Sequence, residues 1–108
     1  MTHYLLIQSR DPFEAATVKQ DYQLAGDLAT AGHQVTLFCV QNGVLPTRKA
    51  AVPDALTELP IKGVTLLADD FSLRERGIAE DQLADNIEAA SLDRVVDHLA
   101  SGAKTLWL

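Results

Sequence analysis

The sequence predicts an α/β fold, a parallel sheet covered by helices on both faces, and three observations carry that prediction. Short apolar runs recur along the chain, at Tyr4 to Gln8, Gln34 to Val40, Gly63 to Ala68 and Lys104 to Leu108. Continuous runs of this length suit strands buried on both faces, where no polar alternation is needed. Between them lie segments with apolar residues at helical spacing, and strands alternating with helices imply right-handed crossovers within one parallel sheet. Breakers such as Ser9-Arg10-Asp11-Pro12 and Gln41-Asn42-Gly43 mark the changes of element. With 108 residues the chain builds one core and has no room for a second, so residues 1–108 are read as a single domain.

After the first strand, Asp11 is placed to cap a helix, with Pro12 at its first position and Glu14 completing a capping box. That helix is expected to run to about Ala31. Phe13, Val18, Tyr22, Ala25 and Leu28 or Ala29 fall on its inner side, and Gly32 supplies the positive φ that ends it. Val35, Thr36, Phe38 and Val40 make the second strand β-branched and aromatic. A short helical region starting at Thr47 or at Pro53-Asp54 must stop at Pro60. Asp69-Asp70-Phe71 turns the chain after the third strand, and Ser72-Leu73-Arg74-Glu75 predicts a capping box for a short helix closed by Gly77. Residues 78–85 are acidic and hold at most a helical turn, and Asn86 to Ala89 make a short fourth strand. Ser91 caps a last helix whose apolar stripe is Leu92, Val95, Val96 and Leu99, with Gly102 as the stop before the final strand.

Composition removes several function classes. The net charge of −6 argues against nucleic acid, whose backbone is held by clustered Lys and Arg. The run Tyr4-Leu5-Leu6-Ile7 is too short for a signal peptide or a membrane span. A single cysteine forms no internal disulfide, so a reducing, cytoplasmic address is the default expectation. Neither a P-loop nor a G-x-G-x-x-G after the first strand is present, and no cofactor is expected. His3, His33 and His98 are scattered without metal-ligand spacing, so no metal site is expected. His33 is assigned to the carbonyl end of the first helix and His98 to solvent.

Ligands of open parallel sheets bind at the carboxyl ends of the strands. Here those ends are Ser9 to Asp11, Gln41 to Thr47 and Asp69 to Ser72. Asp69 and Asp70 read either as an acid/base pair or as charges facing the N–H groups of the next helix. Adjacent residues in extended chain point opposite ways, which favours the second reading. Five of the nine basic residues, Arg10, Arg48, Lys49, Arg74 and Arg76, fall in or just after these segments, either drawing in a small anion or lying as solvated loop charges. Ser9, Ser72 and Ser91 read as turn or cap residues, with no G-x-S-x-G elbow to make one a nucleophile. Cys39, near the end of the second strand, is either buried and inert or a reactive thiol.

Several segments taken together resemble the DsrE/DsrF-like sulfur-relay family. These are Tyr4-Leu5-Leu6-Ile7-Gln8 with its long following helix, Phe38-Cys39-Val40-Gln41-Asn42-Gly43-Val44, Leu73-Arg74-Glu75-Arg76-Gly77-Ile78, and the tail from Ser91-Leu92. The resemblance covers nearly the whole chain. It implies a three-layer α/β/α sandwich with a mainly parallel five-stranded sheet, assembly into homo-oligomers or with a DsrE-family partner, and passage of persulfide sulfur between proteins. In sulfur-carrying members a cysteine lies eight residues before the glycine of the Arg-Gly pair, sometimes with another three residues later. In this chain those positions hold Asp69 and Ser72. Neither can form a persulfide, which needs a thiolate. The resemblance therefore points to a non-catalytic oligomeric or partner-binding subunit, with Arg10, Asn42, Gly43, Asp69, Asp70, Ser72, Arg74 and Arg76 as anion- or partner-binding residues. Two alternatives stand beside it: a sulfurtransferase using Cys39, and a small-anion-binding module at the carboxyl edge of the sheet.

Overall fold

The four apolar runs and the short segment after residue 85 become five parallel strands in the computed structural model, which describes residues 2–108. The strands are β1 (His3–Gln8), β2 (Gln34–Cys39), β3 (Val64–Asp69), β4 (Ile87–Ala90) and β5 (Lys104–Trp107). Their order across the sheet is β4-β3-β2-β1-β5, every neighbouring pair parallel. The chain winds outward from β1 to β4 and returns to place β5 on the other side of β1. That reversal makes the β1/β5 boundary the switch point, where sheets of this kind open a crevice.

Four helices connect the strands: α1 (Val18–Thr30), α2 (Asp54–Thr57), α3 (Asp70–Glu75) and α4 (Asp93–Ala100). Strand pleating sends alternate side chains to opposite faces, and the core divides accordingly. Leu6, Leu37 and Leu66, in register across three strands, pack with Val18, Tyr22 and Ala25 of α1 and Leu56 of α2. Ile7, Phe38 and Leu67 form the opposite face, with Leu5, Val40 and Ala90, and Val95 of α4 packs against them. Helices on both faces give the three-layer α/β/α sandwich.

The first helix begins later than its cap signals predict. The local hydrogen bonds do form: Phe13 N donates to Asp11 Oδ1 at 3.1 Å and Asp11 N to Glu14 Oε1 at 2.9 Å. They close one turn only, and α1 starts at Val18. Phe13 is 86% exposed, so this turn has no apolar face to bury, and short helices draw most of their stability from such a face. Val18 is fully buried. The other end follows the prediction, with Gly32 at φ 96° and a Schellman pair, Gly32 N to Ala29 O and His33 N to Leu28 O.

Three further expectations are corrected. The cap of α3 is Asp69, not Ser72, which lies inside the helix. The stripe of α4 does not pack as a whole: Val95 meets the sheet, whereas Leu92, Val96 and Leu99 are exposed. His98 is half-buried rather than solvent-facing, its ring centroid 4.6 Å from that of His3 and its Nε2 3.4 Å from Thr36 Oγ1. Burial and the neighbouring His98 hold His3 below the ordinary histidine pKa.

Tyr22 lies in the α1-side core at 1% exposure, and its hydroxyl has no hydrogen-bond partner in the protein. Burial pushes its phenol well above the ordinary value. An unsatisfied buried hydroxyl is costly, and removing it while keeping the ring is neutral or stabilising. Tyr22→Phe is therefore expected to raise stability by about 1 kcal/mol, read as a higher urea midpoint. A lower midpoint would show that the hydroxyl has a stabilising partner.

Candidate functional site

The site grows out of the end of β3. Ala68 faces the α1-side core, so Asp69 turns to the other face. With φ −63° and ψ 120°, Asp69 is extended while the next residue opens α3. Its Oδ2 accepts from Ser72 N at 3.0 Å and from Ser72 Oγ at 2.6 Å. Ser72 Oγ in turn accepts from Gln41 N at 2.8 Å, which ties the end of β3 to the end of β2. Asp69 is only 4% exposed, and its Oδ1 has no partner in the protein. Such an unmet buried acceptor costs about 1–3 kcal/mol, more when charged.

A pocket of about 250 Å³ opens beside this carboxylate. It is lined by Ile7, Val40, Gln41, Asp69, Phe71, Ser72, Glu75, Leu92, Val95 and Trp107. These residues come from the carboxyl ends of β1, β3 and β5, the residues just after β2, and the approach of α3 and α4. The predicted edge of the sheet is thus where the pocket lies. Among the predicted residues the structure brings Asp69 and Ser72 to it; Arg10, Asn42, Gly43, Asp70, Arg74 and Arg76 do not line it.

The basic residues are engaged locally. Arg10 lies 3.6 Å from Asp21, whose other contact is Gln8 Nε2 at 2.7 Å. Arg76 donates through Nε and Nη2 to Asn42 Oδ1 at 3.2 and 3.0 Å, and through Nη1 to Ser72 O at 3.3 Å. It therefore fastens α3 to the segment after β2. Arg74 faces Asp70 one helical turn away at 3.8 Å, and Arg48 Nε donates to Leu45 O at 2.8 Å. Gly43 is buried against the end of β1, its backbone pressed to Gln8. Asn42 and Gly43 thus support the wall behind the pocket without lining it.

Cys39 takes the opposite face from Asp69. It is 1% exposed in the α1-side core, where burial pushes its thiol up to about 12. At neutral pH such a group is a thiol, not the thiolate that sulfur chemistry needs. No histidine reaches Ser72: its Oγ donates to the capping carboxylate of Asp69, and His3, His33 and His98 interact at the amino-terminal part of the sheet. Among the described residues no group of three or more His, Cys, Asp or Glu is placed to hold a metal ion, and no helix is long and apolar enough to cross a membrane.

Sequence reasoning did not assign Phe71, Glu75, Leu92, Val95 or Trp107 to this site. For Leu92 and Val95 a signal existed in the stripe of the last helix, but periodicity names an apolar face without saying what it covers. Trp107 is 67% exposed, a large aromatic left in the open beside a crevice.

Comparison with solved structures agrees with this architecture. The ychN protein from E. coli aligns over 100% of both chains with TM-score 0.89 and 19% identity. A protein of unknown function from Methanobacterium thermoautotrophicum does so over 100% of both chains with TM-score 0.82 and 18% identity. A conserved protein of unknown function from Bacteroides thetaiotaomicron covers 97% of this chain and 94% of its own, with TM-score 0.74 and 16% identity. No curated protein sequence matches. The profile of the DsrE/DsrF-like family matches residues 2–108, and the chain belongs to that family.

Proposed function

We propose that this protein is a non-catalytic, partner-binding subunit within the sulfur-relay chemistry associated with its family, working in the cytoplasm as a homo-oligomer or beside a sulfur-carrying relative. One observation carries the reading. Asp69, which counting back from Gly77 puts at the family's cysteine position, is closed into a helix cap with Ser72, while the one thiol of the chain is sealed on the other side of the sheet. The exposed Leu92 just before α4, with Val96 and Leu99 within it, supports the oligomer or partner role, since apolar residues grouped on one face mark interaction surfaces.

Incubating the folded protein with a persulfide donor and measuring intact mass tests the proposal. No sulfur adduct is expected. Adducts in multiples of one sulfur atom, abolished by Cys39→Ser, would overturn it in favour of a Cys39 carrier.

A further inference from the structure

Strand β1 and helix α4 bring together two histidines from opposite ends of the sequence. His3 opens β1, and His98 sits near the end of α4, where that helix crosses the amino-terminal part of the sheet. Their ring centroids are 4.6 Å apart and their planes tilted by 58°, so the rings are not stacked. Both turn Nε2 toward one point: His3 Nε2 lies 3.3 Å and His98 Nε2 3.4 Å from Thr36 Oγ1. These separations exceed the ordinary hydrogen-bond range of roughly 2.7–3.2 Å, so the hydroxyl holds neither ring tightly.

The tautomer of His98 is set by its other nitrogen. Nδ1 lies 2.5 Å from the carbonyl oxygen of Arg94, and a carbonyl only accepts, so Nδ1 carries the hydrogen. The lone pair of the neutral ring is then on Nε2, directed toward Thr36. Metal-ligating histidines are oriented in this way, with the distal N–H on a backbone carbonyl or carboxylate. The spacing of the rings agrees. Two imidazoles bound through Nε2 to one ion at about 2.0–2.1 Å, with an angle of about 90–110° at the metal, keep their centroids roughly 4.5–5.2 Å apart. The observed 4.6 Å falls within that range. His3 and His98 are each partly exposed, which leaves a path from solvent, and the net charge of −6 favours a cation.

We propose that His3 and His98 together bind one divalent transition-metal ion of the zinc type through their Nε2 atoms, with water in the remaining positions and the Thr36 hydroxyl hydrogen-bonded to that water. Imidazole nitrogen selects such ions over calcium and magnesium, which take oxygen ligands. The ion would fasten α4. No residue of that helix is fully buried, and of its side chains Val95 packs against the sheet core. A bond from His98 through the ion to His3 clamps to β1 the helix that carries the exposed Val96 and Leu99. This site is apart from the crevice at Asp69 and stands independently of the subunit reading.

Titration of the untagged full chain with Zn²⁺ at pH 7.5, followed by the imidazole NMR signals, tests the proposal. The His3 and His98 signals should shift together and saturate at one equivalent with a Kd below about 100 μM, while those of His33 stay in place. His98→Ala and His3→Ala should each weaken binding at least about tenfold. Saturating Zn²⁺ should also raise the urea midpoint of the wild-type protein and leave that of His98→Ala unchanged. A Kd above about 100 μM, a shift of one ring without the other, saturation at His33, an affinity changed less than tenfold in either folded variant, or no rise in the wild-type midpoint overturns the proposal. Should a variant fail to fold, the joint shift of the two rings in the wild-type protein decides.

Discussion

Replacing Gly43 with alanine is expected to lower stability by about 3 kcal/mol, because of the glycines it alone would push its Cβ into neighbouring backbone. A Cβ at this position would press into the carbonyl oxygen of Gln8 and lie 3.0 Å from the carbonyl carbon. Neither backbone can step aside. The Gln8 carbonyl accepts from Val40 N at 2.9 Å, and Gly43 N donates to Val40 O at 2.8 Å, so both segments are pinned to the same residue. Gln8 is itself fully buried, its side chain spanning from Asp21 to Arg10 N. Urea unfolding followed by circular dichroism measures the loss, and a cost below about 1 kcal/mol would mean that the end of β1 is more yielding than its bonding implies.

Asp69→Ala comes next, with an expected loss of about 2 kcal/mol. The substitution removes both hydrogen bonds from Ser72 and uncaps α3. Part of that cost is offset because the unpartnered Oδ1 leaves as well. Asp69→Asn should cost less, since the amide oxygen can still accept from Ser72 N. A double-mutant cycle with Ser72→Ala separates the pair from its surroundings and should give a coupling of at least about 0.5 kcal/mol. Additive losses would show that the two side chains contribute independently.

Much of this fold is readable from local signals, and the failures have a common cause. Strands β1, β2 and β3 are legible because residues such as Leu5, Leu6 and Ile7 must all be buried, whichever face they take. Gly32 ends α1 as predicted because the Schellman motif is wholly local. Asp11, Pro12 and Glu14 make the local bonds of a helix start, yet no helix follows until Val18, because propagation depends on packing that Phe13 lacks. At α3, Ser72 and Asp69 were both plausible caps by residue type. The end of β3 at Asp69 leaves that residue extended and Ser72 one turn inside, a choice that depends on where the sheet stops.

The site was half legible for similar reasons. Topology alone led to the carboxyl edge, and counting from Gly77 led to Asp69. The face taken by Cys39 was not readable, because strand alternation fixes a face only once the register is known. With Cys39 beside Ala68 and Asp69 one residue further, the thiol and the carboxylate lie on opposite sides of the sheet. Walls supplied by Trp107 and Val95 come from elements distant in sequence, and only the return of β5 beside β1 brings them in.

Burial of Cys39 also has a pH signature. Its folded pKa is raised, so the folded protein keeps the proton that the unfolded chain releases from about pH 8.5 upward. Stability therefore falls as pH rises through that range, and a Cys39→Ser variant lacks this part of the fall.

That the sole thiol is closed off from the crevice is tested most directly by its rate of reaction with a soluble thiol reagent at rising urea concentrations. Labelling of Cys39 should be far slower in the native protein than in the unfolded chain at the same pH, and should rise with the unfolding transition. Rapid labelling without denaturant, accelerating with pH as an ordinary accessible thiol does, would contradict the account.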